Sequence, residues 1–282
     1  MPKPPHTERL LIVTKTYPAP STKHRETSCV AAINDAGQFR RLYPVPFRLL
    51  DGDQRFKKWE WIEAKVQRAN DDKRPESHRI FVDTVVRNDE VVGTDNYWEE
   101  RRRWIEPHVR TDFDDIETRR AEKESQRGGS GETLAYLRPH RILGLEISEA
   151  RNPDWTEEER AKLVHKQDGL FDSEELRVQA QLRKLPHDFY YRYECESVGG
   201  RKEYKHKITD WEVGALYWNV RRSHREKWEQ PFREKLEVEF SAKDMLFLMG
   251  TMHRFPDSWL IVGLAYPPKQ LPARDPQLGL AF

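Results

Sequence analysis

Asp210 and Glu212 stand two residues apart, just after the basic run Lys205-His206-Lys207. Two carboxylates that close can hold Mg²⁺, which activates water against a phosphodiester, and His206 or the later His253 could complete such a site. The same letters have a purely structural use. Thr209 and Glu212 have the spacing of a capping box, and an acidic Asp210 in a first helical turn is favoured by the helix dipole. The capping role accounts for both carboxylates and is the more economical of the two. Cys195, His206, Asp210 and His253 could in principle share a metal, although their spacing fits no zinc finger.

A second set of residues suits phosphate and base contacts. Residues 38 to 58 carry Arg40, Arg41, Arg48, Arg55, Lys57 and Lys58 against only Asp51 and Asp53, with Phe39, Tyr43 and Phe47 between them. Arginines and lysines that meet phosphates, beside aromatic rings on which bases stack, make a nucleic-acid platform. The candidates are Arg40, Arg41, Tyr43, Phe47, Arg48, Lys57 and Lys58. Arg40 and Arg41 fall on opposite faces of a strand, so at most one of the two can serve. Thr251-Met252-His253-Arg254-Phe255-Pro256 is a loop that could line a pocket, and Arg138-Pro139-His140-Arg141 is a further basic cluster, either a phosphate contact or ordinary surface. Gly-rich phosphate loops, G-x-S-x-G and H-E-x-x-H are all missing from the chain.

The elements that must position these residues follow from periodicity and turn signals. Residues 9 to 15 read as a buried first strand. Cys29 to Ile33, the turn Asn34-Asp35-Ala36-Gly37 and Phe39 to Tyr43 read as a hairpin. Trp59 to Val66 alternates with period two, and Ile80 to Val86 supplies a further strand. Tyr97 to Gln126 predicts two helical segments broken at Pro107, and Gly128-Gly129-Ser130-Gly131 a flexible joint. Ile142 to Ile147 is apolar strand, and Thr156 with Glu159 has capping-box spacing for a helix. In the last third come an aromatic strand over Phe189 to Cys195, a turn at Gly199-Gly200, and a helix from Thr209 to about His224. A short helix follows over Phe232 to Phe240, then two apolar strands, Met245 to Met249 and Trp259 to Leu264. The expected fold class is α+β: an OB-like β barrel or sheet over residues 1–95, a charged helical insertion with a Gly-rich loop over 96–132, a mixed β/α domain over 133–268, and an extended tail over 269–282.

Three resemblances attach to these residues. The stretch Cys29 to Arg48, with Gly37, Phe39, Arg41 and Pro44 in place and Arg40 and Leu42 departing, resembles the opening of the dual OB-domain proteins of bacterial conflict systems. That resemblance implies a five-stranded barrel whose face binds nucleic acid or a nucleotide. The acidic pair loosely resembles that of metal-dependent nucleases, but here the lysine comes before the acids rather than after. The end Gln277-Leu278-Gly279-Leu280-Ala281-Phe282 resembles the hexapeptide by which bacterial proteins dock on the replication sliding clamp, with Gln277, Leu278, Leu280 and Phe282 matching. The four prolines between residues 267 and 276 would extend such a peptide as a spacer that packs on nothing of its own.

Composition sets the bounds. The 282 residues, 37% hydrophobic and 34% charged, describe a polar chain long enough for a proper core. No apolar run reaches bilayer length and no signal-like stretch opens the chain, so a cytoplasmic protein without a membrane partner is expected. Two cysteines make no disulfide scaffold. A net charge of +1 excludes a global positive field, so any DNA or RNA contact must be a local patch. The leading reading is a DNA-associated accessory protein that binds nucleic acid through an OB-like face and is recruited to the sliding clamp, in repair, replication or defence against foreign DNA. Beside it stand a metal-dependent nuclease or phosphodiesterase using Mg²⁺, and a nucleotide or small-molecule sensor.

Overall fold

The run Leu10-Leu11-Ile12-Val13 is buried at every position, which a strand can be only when both of its faces are covered. Leu10 and Ile12 enter one apolar core and Leu11 and Val13 another. That double burial organises the molecule. The computed structural model describes residues 4–127, 131–163 and 182–269.

The first half holds β1 (His6–Lys15), β2 (Ala19–Ser21), β3 (Arg25–Asn34), β4 (Phe39–Val45), β5 (Glu60–Arg68) and β6 (Ser77–Val91). Five of them close on themselves in the order β1-β5-β6-β4-β3-β1, with β4 and β6 parallel and the other pairs antiparallel, while β2 extends the β3 edge. This circuit is that of the five-stranded OB barrel. Alternate residues of each strand fill its interior: Leu10, Ile12, Val30, Ala32, Leu42, Ile62, Ala64, Val66 and Ile80. The β3–β4 hairpin expected from Asn34 to Gly37 forms, with Gly37 at φ 74° and its amide donating to the Asn34 carbonyl.

A connecting stretch follows, with α1 (Asp95–Ile105), the two-residue β7 (Val109–Arg110) and α2 (Phe113–Arg127). The second half then holds β8 (Leu134–Leu137), β9 (Arg141–Glu149), α3 (Glu157–Leu163), β10 (His187–Ser197), β11 (Gly200–Lys207), α4 (Trp211–His224), α5 (Glu229–Arg233) with a π-helical continuation (Glu234–Glu239), β12 (Leu246–Thr251) and β13 (Trp259–Ala265). Its strands trace the same circuit a second time. β9 pairs with β10 and β10 with β11, and the Ile208–Ile261 bridge joins the end of β11 in parallel to β13. β13 pairs with β12 and β12 with β8, which runs on into β9. A helix between the third and fourth strands of that circuit is α4. The α+β class and the OB-like barrel at the N-terminus are therefore as the sequence indicates, and the mixed half is itself OB-like in strand order.

The two halves share a layer. Leu11, Val13, Ala31, Ile33, Phe39 and Trp61 of the first barrel meet Leu134, Tyr136, Leu246, Leu248 and Val262 of the second. Residues one step along, such as Phe247, Met249 and Ile261, point into the second core with Phe189, Tyr191 and Tyr193. The approach is close where Gly263 passes β1: a Cβ there would stand 2.6 Å from Thr14 Oγ1.

Two caps differ in outcome. Thr156 and Glu159 form the expected capping box, each backbone amide bonded to the other side chain at 2.8 and 3.2 Å. At α4 the cap is Asp210, not Thr209: its carboxylate accepts from the amides of Glu212 (2.6 Å) and Val213 (3.4 Å). Thr209 is turned to the Ile261 carbonyl instead, and Glu212 is drawn out to Lys58. No helix among the described residues is long and apolar enough to cross a membrane.

Candidate nucleic-acid interface

Phe39, Arg41 and Tyr43 share one face of β4, the face that the second half covers. Phe39 and Arg41 are buried under it, and Tyr43, one step farther, emerges at 53% exposure where the cover ends. The ring therefore lies at the edge of the shared layer. The connection between β12 and β13, Met252 to Ser258, lies at that same edge and is exposed throughout. Arg254 acts electrostatically on the Tyr43 phenol, whose pKa is raised, chiefly by burial and then by Cys29 and Asp71, against the lowering pull of Arg254.

The tip is held by the first barrel's β5–β6 loop. Arg74 donates to the Thr251 carbonyl and grips the Asp72 carboxylate, which also accepts from Ser77 Oγ at 2.7 Å. Burial alone would raise Asp72, but Arg74 and Ser77 hold its carboxyl well below the usual range. It is thus an anion at neutral pH, and His253 Nδ1 sits 3.4 Å from it. Within the tip, Met252 donates to the Ser258 carbonyl and Ser258 to that of Phe255. The result presents Phe255 at 60% and Met252 at 37% exposure beside Arg254 on a fixed turn.

The basic rim continues along the first barrel. The parallel register Arg41–Ser77 and Leu42–His78 is followed by Tyr43 on β4 and Arg79 on β6. The Arg79 guanidinium lies 5.3 Å from the Phe81 ring centre. His24 is near enough to Lys23 and Arg79 that its pKa is lowered, first by burial and then by those two charges. Arg254 beside Tyr43 and Arg79 beside Phe81 put cations next to rings, the two components of a platform for a single strand.

Most of the residues singled out in the sequence are spent elsewhere. Arg41 is 3% exposed and donates to the Thr133 carbonyl at 2.9 Å, so it meets no phosphate. Arg40 is clamped by both oxygens of Glu8, at 2.7 and 2.9 Å. Phe47 packs on Phe56 and edge-on against Trp211, under the Lys15 ammonium at 4.0 Å. Arg48 pairs with Glu26 at 3.2 Å. Lys57 is exposed. Lys58 reaches across to Glu212 (2.7 Å) and the Leu264 carbonyl (2.8 Å). Burial would depress its pKa, but Asp210 and Glu212 more than offset that and hold it above the ordinary lysine value.

Asp210, Glu212, His206 and His253 are not brought together. Asp210 is 2% exposed, with its oxygens taken by Leu264 N at 2.8 Å, by the two cap amides and by Thr14 Oγ1 at 3.5 Å. His206 is half-buried beside the second core, bonded to the Tyr193 hydroxyl at 2.8 Å and packed on Phe113, and burial pushes its pKa down to about 4. Cys195 is buried in that core without a ligating partner, burial pushing its thiol up to about 11. His253 is at the exposed tip. Among the described residues no three of His, Cys, Asp or Glu gather as a metal would need. The carboxylates do not fit Mg²⁺, because amide donors and Lys58 already occupy them. Gly128 to Ser130, and the tail with Gln277, Leu278, Leu280 and Phe282, lie outside the described residues. The first two prolines of the spacer are tied down, contrary to expectation: the Pro267 carbonyl accepts from Asp244 N and that of Pro268 from Arg102, each at 2.9 Å.

What the sequence did not single out is the rim of Lys23, His24 and Arg79. These positions carry no local signal: the fold brings Lys23 and Arg79 near His24, and Arg79 follows the paired residues of β6.

Two family models match the chain, one described as "Domain of unknown function (DUF8758)" over residues 6–107 and one as "Domain of unknown function (DUF8757)" over residues 109–280. No curated protein matches it. Among solved structures, one titled "Structure and Conformational Change of a Replication Protein A Heterotrimer Bound to ssDNA" aligns with 94% of this chain and 66% of its own, just under two thirds. Its identity is 10% and its TM-score 0.23.

Proposed function

The chain belongs to the family described as "Domain of unknown function (DUF8757)", whose model spans more than half of it, and from that premise, which brings no activity with it, we propose that it is a nucleic-acid-binding accessory protein. The contact is the surface made by Tyr43, Arg79 and the Met252–Ser258 tip. One observation carries this reading: the connection between the last two strands, where OB barrels hold oligonucleotides, is here an exposed turn bearing Arg254 and Phe255, seated beside the exposed Tyr43. Covering the outer face of the first barrel removes the broad platform and leaves this narrow one. A narrow contact also agrees with a net charge of +1.

The terminal hexapeptide gives the protein its address in this proposal. Gln277, Leu278, Leu280 and Phe282 dock on the bacterial sliding clamp, placing the tip at DNA during replication, repair or defence against foreign DNA.

The test is fluorescence anisotropy of a labelled single-stranded oligonucleotide with the full chain, at low and high salt, alongside Tyr43→Ala and Arg254→Ala. Salt-sensitive binding that both variants weaken is expected. Binding that neither variant changes sinks the assignment of the surface. Titration of a purified clamp with the full chain and with a chain lacking residues 277–282 tests the address separately.

A further inference from the structure

At the other end of β12 from the hairpin tip lies an open cavity of about 540 Å³, lined by Arg102, Arg103 and Arg138 with Glu106 and Asp244. Six residues of strand separate the two places, roughly 20 Å at the rise of an extended chain. They are distinct sites.

Three guanidinium groups face two carboxylates there. Arg102, 7% exposed, uses its Nη1 on Glu106 (3.1 Å) and Asp244 (2.7 Å), its Nε on the Tyr97 carbonyl and its Nη2 on that of Pro268. Arg138 uses Nε and Nη2 on the same two carboxylates, at 2.7 to 3.2 Å, which raises its pKa further although burial pulls the other way. Glu106 and Asp244 therefore neutralise Arg102 and Arg138 and fix them in place. Arg103 is left over. It is exposed on α1 and no described residue pairs with it. The Nη1 of Arg138 likewise has no partner among the described residues. Arg103 keeps its whole planar fork of five N–H donors, and the cavity keeps one unit of positive charge.

We propose that this cavity binds a phosphate group, held by the Arg103 fork and the unused Nη1 of Arg138, with Arg102 and the two carboxylates as the rigid wall that aims them. A tetrahedral oxyanion carries enough acceptors and charge for two guanidinium groups at once, and bidentate arginine contacts favour it. The group belongs either to a free nucleotide or pyrophosphate or to a nucleic-acid backbone. The site stands apart from the Tyr43 surface and does not rest on it.

Isothermal titration of the full chain with pyrophosphate is the experiment, beside Arg103→Ala and Arg103→Lys. Saturable binding is expected, weakened at least 10-fold in Arg103→Ala and partly kept in Arg103→Lys. Circular dichroism of Arg103→Ala should be that of the parent, since the residue is exposed. No saturable binding, or equal binding by Arg103→Ala, overturns the proposal. A parallel titration with a labelled oligonucleotide separates the sources: a loss in Arg103→Ala for both probes assigns the phosphate to a backbone, and a loss for pyrophosphate alone assigns it to a small molecule.

Discussion

The Arg41 guanidinium crosses the layer between the two barrels and donates to the main-chain carbonyl of Thr133 at 2.9 Å. Thr133 in turn is held by Glu76, whose carboxylate accepts from its amide at 2.9 Å and its hydroxyl at 2.8 Å. An arginine that looks like a phosphate contact in the sequence is thus a strut between halves. Arg41→Ala should cost about 2 kcal/mol, since a buried carbonyl loses its charged donor, and leave oligonucleotide affinity unchanged. Urea unfolding and anisotropy on one preparation check both parts.

The converse holds for the exposed ring and tip. Tyr43→Ala and Phe255→Ala remove no core contact, so the unfolding midpoint should move little. If bases stack on these rings, each should lose about 1–3 kcal/mol of binding, roughly 5- to 150-fold. A titration in which both variants bind like the parent would place the contact elsewhere.

Asp210 is the acid on which a nuclease reading depends, and its removal distinguishes the roles. Asp210→Ala loses the α4 cap and leaves Lys58 with only Glu212 beside it in a buried seam. A cost of about 1–3 kcal/mol is expected from the lost cap and from the Leu264 amide left without its acceptor in that seam. Asp210→Asn keeps a good capping oxygen and should cost less. Equal stability of the parent and Asp210→Ala, by urea midpoint, would contradict the structural role.

His206 carries a pH prediction. Its pKa is about 4 in the fold because it is buried, against 6.5 when exposed. As pH falls from about 6.5 the unfolded chain takes up this proton first, so stability declines between about 6.5 and 4 and this contribution then levels off. His24, His78, His108 and His187 are lowered in the same direction, each first of all by burial. The readout is therefore a difference: His206→Gln should show a shallower loss of stability over that window than the parent. Parallel curves would mean that His206 does not titrate as its burial requires.

Close approach makes the seam intolerant of even one methyl group. A Cβ on Gly263 would meet Thr14 at 2.6 Å, and one on Gly214 would meet the Tyr17 ring at 2.3 Å. Gly214→Ala and Gly263→Ala should each destabilise by about 1–3 kcal/mol, the range for overpacking. Thermal melts that coincide with the parent's would show that the halves can separate at no cost.

Local chemistry alone determined the strands, the Asn34–Gly37 turn and the Thr156–Glu159 cap, because alternation, a glycine turn and a three-residue capping spacing act between near neighbours. The sequence marked the loop at residues 251–256 as the lining of a pocket, whereas Met252 to Ser258 form an exposed turn. The tertiary structure decided the rest. Leu10 to Val13 announces burial on two faces, but the pattern cannot say that a second barrel supplies the other cover, and it is that cover which buries Arg41. Glu212 reads as half of a capping box until Lys58, 154 residues earlier, draws it away. An ion pair or a shared apolar layer depends on which surfaces meet, and that is fixed by packing the whole chain rather than by any stretch of it.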